Sequence, residues 1–460
     1  MSYDVVILGA GPAGMSAAAT AGELGLKTLL LDEQPRPGGQ IYRNVGIASS
    51  RMAKILGPDY QAGTRLLDRL HASGAEVRYD TLVWDASEEL EVAAVQHGKA
   101  FQVKARQLIA ATGAMERPSP LPGWTLPGVM NAGAAQIALK SGGYIPSGRI
   151  ALVGAGPLLL LVACQLIEAG AQLVAVVDTS AKGQWREAIR HLPAALRAPE
   201  YLVKGLRLLR HLRSSGVPRF HDVGDLQILG TDSVTGLHFK VAGKSHTLDV
   251  DTVLLHHGVI PNHQLSRLLR VHHTWDPAQL AWRVTCDDHG QTSLDGFRIA
   301  GDAVAIAGAV AAEASGALAA LGAAHALGRI SHTELQQRSS IHQRTLTRHR
   351  AIRPFLDALY RPPGYITSPT NDVIVCRCEE VTAGTVRDMA ALGCQGPNQT
   401  KFFSRCGMGP CQGRICGSVV TQLLERATNT APDYVGTYRV RGPLKPIQLS
   451  AIASIGTDAT

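Results

Sequence analysis

The chain has 460 residues, more than one hydrophobic core ordinarily serves, so two or three domains are expected. Forty-eight glycines against seven phenylalanines suit an α/β protein with many tight turns and small-residue helix packing. The net charge of +8 is a mild excess carried largely by residues 182–213 and 338–361; only Trp185, Tyr201, Phe355 and Tyr360 are aromatic there, too sparse a set to suggest nucleic acid, which leaves a solvated face, or docking to an acidic redox partner, as the readings. In chain order, residues 3–8 form a short apolar strand running into Gly9-Ala10-Gly11-Pro12-Ala13-Gly14 and an alanine-rich helix that Gly25 ends. Residues 28–31 form a second strand with Asp32 at its tip, completing a βαβ unit. A second unit spans residues 150–177, with Gly154-Ala155-Gly156 between strand and helix. Those glycines split an apolar window at 150–167 that would otherwise resemble a membrane span. Residues 252–256 read as a closing strand, 298–301 as a strand end, and 309–327 as a helix of small residues. A basic helix and proline-bearing linker occupy 335–370. The opening residues lack a secretory pattern, and most of the eight cysteines fall between Cys376 and Cys416, which favours metal binding over disulfides.

In the first glycine motif, Gly9 permits the tight turn, Gly11 lets the backbone approach a pyrophosphate, and Gly14 allows close helix–strand packing. The helix start offers free N–H groups to phosphates. Asp32, with Glu33 as the adjacent alternative, is placed to accept ribose hydroxyls. A strand ending in Ala111-Thr112-Gly113 and the later Gly301-Asp302 accompany it. Together these segments resemble the two-dinucleotide-binding flavoprotein reductase superfamily. That resemblance implies FAD in the first site, Asp302 on the ribityl chain, and the following helix aimed at the flavin; a plain helix cap is the structural alternative for Asp302.

The second motif is defective, because Leu159 stands where the fingerprint expects glycine or alanine and no basic residue is placed beside Asp178 for a 2′-phosphate. A degenerate NAD site is expected. Neither the Pro37-Gly38-Gly39-Gln40-Ile41-Tyr42-Arg43 loop nor residues 127–138 carry the redox cysteines of disulfide reductases. Cys164, Cys286 and Cys394 are expected to be structural, and the seventeen histidines form no ligand pattern. His256 and His257 are expected in the core or a loop.

Cys376 and Cys378 form a CxC pair, and Cys411 and Cys416 a CxxxxC pair opening a helix. Four thiolates are the soft ligands of a 2Fe–2S unit, and Gly407, Gly409 and Gly413 let backbone amides approach its sulfides. Cys406 is a fifth thiol, read as spare or supporting. The module resembles the bacterioferritin-associated-ferredoxin-like 2Fe–2S domain; a tetrahedral zinc site is the alternative.

Run in order, the opening motif, the 32–43 loop, Pro122-Gly123-Trp124-Thr125-Leu126-Pro127-Gly128-Val129, the defective second motif and the thiol module resemble the α (A) subunit of hetero-oligomeric flavin dehydrogenases, among them octopine and nopaline oxidases, D-hydroxyproline and L-proline dehydrogenases and hydrogen cyanide synthase. The expected fold is α/β, with two Rossmann-like domains in a glutathione-reductase-like arrangement and a small helical 2Fe–2S domain. Its expected divisions are 1–120 with 265–335, 121–264, 336–370, 371–430 and an extended tail over 431–460. Cofactor contacts are expected from Gly9, Ala10, Gly11, Pro12, Ala13, Gly14, Asp32, Glu33, Gly39, Gln40, Ala111, Thr112, Gly113, Gly301 and Asp302. The resemblance implies FAD or an adenine nucleotide in that pocket, FMN at the interface with a β subunit, a D-amino-acid-oxidase-like β subunit carrying its own FAD, a quinone-linked acceptor and a small ferredoxin-like subunit. The catalytic oxidation of the CH–NH bond then belongs to β, and this chain relays electrons in the cytoplasm or at the inner face of the membrane. An NAD(P)H-dependent flavoprotein ferredoxin-type reductase, or a hydrogen cyanide synthase subunit, is the alternative.

Overall fold

The computed structural model describes residues 2–455; residues 456–460, the end of the tail expected over 431–460, lie outside the described residues. Strand Ser2–Leu8 divides its side chains between two cores: Val5 and Ile7 enter one, and Tyr3, Val6 and Leu8 the other. A strand apolar on both faces must be covered on both, the usual condition of a parallel sheet. It pairs in parallel with Thr28–Leu31 and with the second half of Lys99–Ala110, while Glu76–Arg78 and Phe297–Ile299 extend the parallel region at either side. The first half of Lys99–Ala110 pairs antiparallel with Glu91–Gln96, which pairs with Thr81–Ala86.

Helices Pro12–Glu23 and Ala309–Ala326 cover one face of this sheet. Their approach is limited by backbone alone. A methyl group on Gly316 would stand 2.0 Å from the Ala13 carbonyl oxygen, and one on Gly301 would stand 2.7 Å from Ala13 Cβ. Helix His332–Arg350 lies outside them, opened by a capping box in which Ser331 and Glu334 each bind the other's amide.

The chain leaves the first domain through Ala114–Glu116 and returns through Val259–Pro261, and these two segments pair as an antiparallel ribbon. Between them lies a five-stranded parallel sheet in the order Arg219–Phe220, Leu173–Asp178, Ile150–Gly154, Thr252–His256, Val129–Asn131. Helix Pro157–Ala169 packs on one face and a three-stranded antiparallel sheet, Val223–Gly230, Val234–Val241 and Lys244–Asp249, on the other.

The cysteine-bearing module is built on strands Ile374–Cys376 and Val381–Thr382 and helices Ala383–Ala391, Pro397–Ser404 and Gly417–Thr428. Trp124 of the second domain donates its indole N–H to the Ile374 carbonyl at 2.7 Å. The tail returns to the first domain, where Val440 and Leu444 enter its core and Ser454 accepts the Ala100 amide at 3.1 Å. Its described residues carry two short helical turns, Pro432–Val435 and Leu449–Ala453, where an extended segment was expected.

The Gly316 contact predicts that Gly316→Ala destabilises the protein by about 1–3 kcal/mol, the usual cost of overpacking, despite alanine's better helix propensity. Thermal unfolding checks this, and an unchanged midpoint would remove the interlock from the account.

Candidate functional site

The segments expected to bind a nucleotide converge at the carboxyl ends of the first parallel strands. Gly9 has φ +104°, and a methyl group there would lie 2.5 Å from the Ala111 carbonyl oxygen. Gly14 faces the Gly9 carbonyl oxygen, 1.7 Å from where a Cβ would stand, so helix and loop touch through backbone. Gly39 approaches Gly11 in the same way, at 2.7 Å from its Cα. The helix starting at Pro12 has no side-chain cap, which leaves its first amides for a phosphate. This backbone cradle fits a diphosphate.

Asp32 is buried, and its two carboxylate oxygens accept the amides of Ala10 and Gln34. Burial raises its pKa against the pull of those amides. Glu33 is exposed and pairs with Lys445 of the tail. Thr112 Oγ1 donates to the Asn262 carbonyl at 3.0 Å, and Gly113 accepts the Asn262 amide, which ties this turn to the returning linker. Asp302 accepts the amides of Ala307 and Gly308 at 2.9 and 3.2 Å, so it shapes the turn before helix Ala309–Ala326. Burial raises its carboxyl as well.

Lys140 was not singled out by sequence. Its amine reaches across from the second domain to the Gln40 carbonyl at 2.9 Å and to Gln136 Oε1 at 3.1 Å, with no carboxylate partner among the described residues. Burial lowers its pKa to about 7.

The second glycine motif faces a buried histidine. Leu159 is simply accommodated in the core beside Ile150 and Leu152. The cradle instead faces His256, whose Nε2 would lie 3.6 Å from a Cβ on Gly156. His256 Nδ1 sits 2.6 Å from Glu116 Oε1, and Glu116 Oε2 accepts the Gly133 amide at 2.9 Å. His256 is buried and the Glu116 side chain is 10% exposed, so the imidazole is held against the second glycine loop. The expectation of no basic residue beside Asp178 is corrected: strand pairing brings Arg219 to 2.6 Å from its carboxylate. His257 is also a core residue, 2.8 Å from Ser119 Oγ.

In the module, Cys376, Cys406 and Cys416 are buried with their sulfur atoms within 4.8 Å of one another. Cys406, expected as a spare thiol, therefore lies inside the group. Hydrogen bonds from Cys406 and Cys416 pull the Cys376 thiol far below its ordinary pKa. Cys378 is exposed and sits against Cys411. The Gly407 amide donates to Cys376 Sγ at 3.4 Å. Gly407 and Gly413 are glycines for a second reason, since the Tyr438 ring occupies the space a Cβ would take at either. Gly409 packs on Cys378 in the same manner.

A family profile described as pyridine nucleotide-disulphide oxidoreductase matches residues 3–316, and one described as sarcosine oxidase A3 domain matches residues 372–455. The chain belongs to the pyridine nucleotide-disulphide oxidoreductase family. This oxidoreductase is 44% identical over 455 residues to the A subunit of opine oxidase from Rhizobium meliloti (strain 1021), covering 98% of this chain and 99% of that protein. It is 33% identical over 479 residues to hydrogen cyanide synthase subunit HcnB of Pseudomonas aeruginosa, across 100% of both. It shares its fold with L-proline dehydrogenase from P. horikoshii, with a TM-score of 0.70 and 18% identity over 98% of this chain and 79% of that one. Among the described residues no helix of the oxidoreductase is long and apolar enough to cross a membrane.

Lys140 makes stability depend on pH. In the folded oxidoreductase its amine loses the proton at about 7, whereas the unfolded chain holds it to the ordinary value of 10.5. Between those values the unfolded state binds more protons, so this group makes stability rise with pH across that window. Lys140→Met removes that rise, as denaturant unfolding at several pH values would show; a variant with the wild-type slope would contradict the assignment.

Proposed function

We propose that this chain is the electron-transferring A subunit of a heteromeric flavin dehydrogenase that oxidises the CH–NH bond of an amino acid, imino acid or opine. Similarity along nearly the full length to the A subunit of opine oxidase supports the class. The observation that carries the electron-transfer role is the gathering of Cys376, Cys406 and Cys416 within 4.8 Å, with Cys378 against Cys411. Such a group of thiols is what an iron–sulfur centre requires. Cys376 with Cys416 and Cys378 with Cys411 are the four thiols that would hold a 2Fe–2S unit, and Cys406 stands beside the first pair.

When bound, a flavin exchanges electrons in pairs or singly, and a 2Fe–2S centre carries them singly. The chain's own residues bind and shield. Gly9, Ala10, Gly11, Pro12, Ala13, Gly14 and Gly39 line the diphosphate of FAD or an adenine nucleotide, Asp32 or Glu33 takes the ribose, and Gln40, Ala111, Thr112, Gly113, Gly301 and Asp302 complete the pocket. The Gly407 amide offsets negative charge on Cys376, and the buried Tyr438 ring keeps water from the inner thiols. The partners in this reading are a D-amino-acid-oxidase-like β subunit with its own FAD, FMN at their interface, a quinone-linked acceptor and a small ferredoxin-like subunit. The location is the cytoplasm or the inner face of the membrane.

Anaerobically purified protein is expected to contain about two iron and about two sulfide ions per chain, and Cys376→Ser and Cys416→Ser each to lose both. One zinc ion without sulfide would overturn the reading. The His256–Glu116 closure further predicts that anaerobic NADH leaves the flavin absorbance of the loaded chain unchanged in stopped flow. Rapid bleaching would instead identify an NADH-dependent reductase.

A further inference from the structure

A cleft separates the returning linker of the first domain from the thiol module. Met115, Ile260 and Val440 form its apolar wall, and Arg267 and Arg414 contribute guanidinium groups. No aspartate or glutamate lines it, and neither arginine has a carboxylate partner among the described residues. Arg267 donates to Thr437 Oγ1 and lies over the Trp282 ring, 5.4 Å from its centroid. Arg414 reaches only the Leu444 carbonyl, at 3.5 Å, and its Nε has no partner.

The cleft also collects unpartnered polar atoms. Trp282 Nε1, Ser418 Oγ, His263 Nε2 and Gln264 Oε1 are all buried without a hydrogen bond, and Trp282 and His263 are each 8% exposed. Orphaned buried groups carry a desolvation cost, so several around one cleft mark a missing ligand. Helix Gly417–Thr428 begins at the cleft without a side-chain cap, and its first residues Gly417 and Ser418 line it. Guanidinium pairs, an indole N–H, a hydroxyl and a helix start are complementary to a compact dianion.

We infer that this cleft is a phosphate-binding site, holding the phosphate group of an organic phosphate or free phosphate beside Cys411. Gln264 already links the two regions, donating to the Cys411 carbonyl at 3.4 Å. Burial lowers the Arg267 guanidinium to about 9, and an anion there would restore its ordinary value.

The test is titration of the purified full-length chain with inorganic phosphate, phenyl phosphate and benzoate, followed by calorimetry and thermal melting. Phosphate is expected to bind saturably, and Arg267→Gln and Arg414→Gln each to weaken it about tenfold or more. Ser418→Ala, whose melting in chloride buffer should match wild type, is expected to weaken it less, and the exposed Arg213→Gln not at all. Tighter binding of phenyl phosphate would identify an organic phosphate as the occupant, and equal binding would identify free phosphate. Absence of saturable binding, an unaltered affinity in Arg267→Gln and Arg414→Gln, or benzoate binding as tightly as phosphate would overturn the site. Phosphate binding does not depend on iron content, so its failure leaves the thiol-centre reading standing.

Discussion

Backbone-to-backbone contact between small residues is the constraint on which the first domain depends. Ala13 sits at the crossing, touched by Gly301 and Gly316 from the other end of the sequence. Because no side chain separates the two helices, the turn bearing Asp302 arrives beside the loop that begins at Gly9. A cofactor pocket follows from that approach, since the uncapped start of helix Pro12–Glu23 lies beside that turn. Enlarging any of them would push the two walls of the pocket apart.

The two Rossmann-like units differ in what stands opposite the glycine loop. In the first, the strand end opposite the glycine loop is Ala111, whose small side chain leaves the loop clear. In the second, the corresponding strand ends in His256, held by Glu116 from the linker ribbon. Helix Ala132–Gly142 then serves a different purpose: its start binds Glu116, and its last turn sends Lys140 to the Gln40 loop. The second domain thus acts as a brace for the first. The Tyr438 ring plays a comparable part in the thiol module, filling the space left by Gly407 and Gly413.

Local patterns made much of this legible in the sequence. Both βαβ units, the helix after Asp302 and the thiol module stand where strand–glycine–helix order and cysteine spacing indicated. What escaped was non-local. The His256–Glu116 pair joins residues 140 apart and Lys140 meets Gln40 across 100, and no periodicity encodes either. The Arg219–Asp178 pair follows from strand order, which a single sequence does not reveal. The closeness of Cys406 to Cys376 and Cys416 also escaped, because spacing selects pairs of cysteines, whereas the turn at Gly407 folds a third sulfur inward. The antiparallel strands between Thr81 and Ala110 also went unread, lacking any motif of their own.

The central claim is that the inner thiols hold a redox-active pair of irons. Electron paramagnetic resonance of the anaerobic, dithionite-treated chain tests it most directly. The account predicts a paramagnetic signal of a one-electron-reduced iron pair, integrating to about one spin per chain and absent from Cys416→Ser. A chain that stays silent under reduction while retaining a stoichiometric metal ion would contradict it.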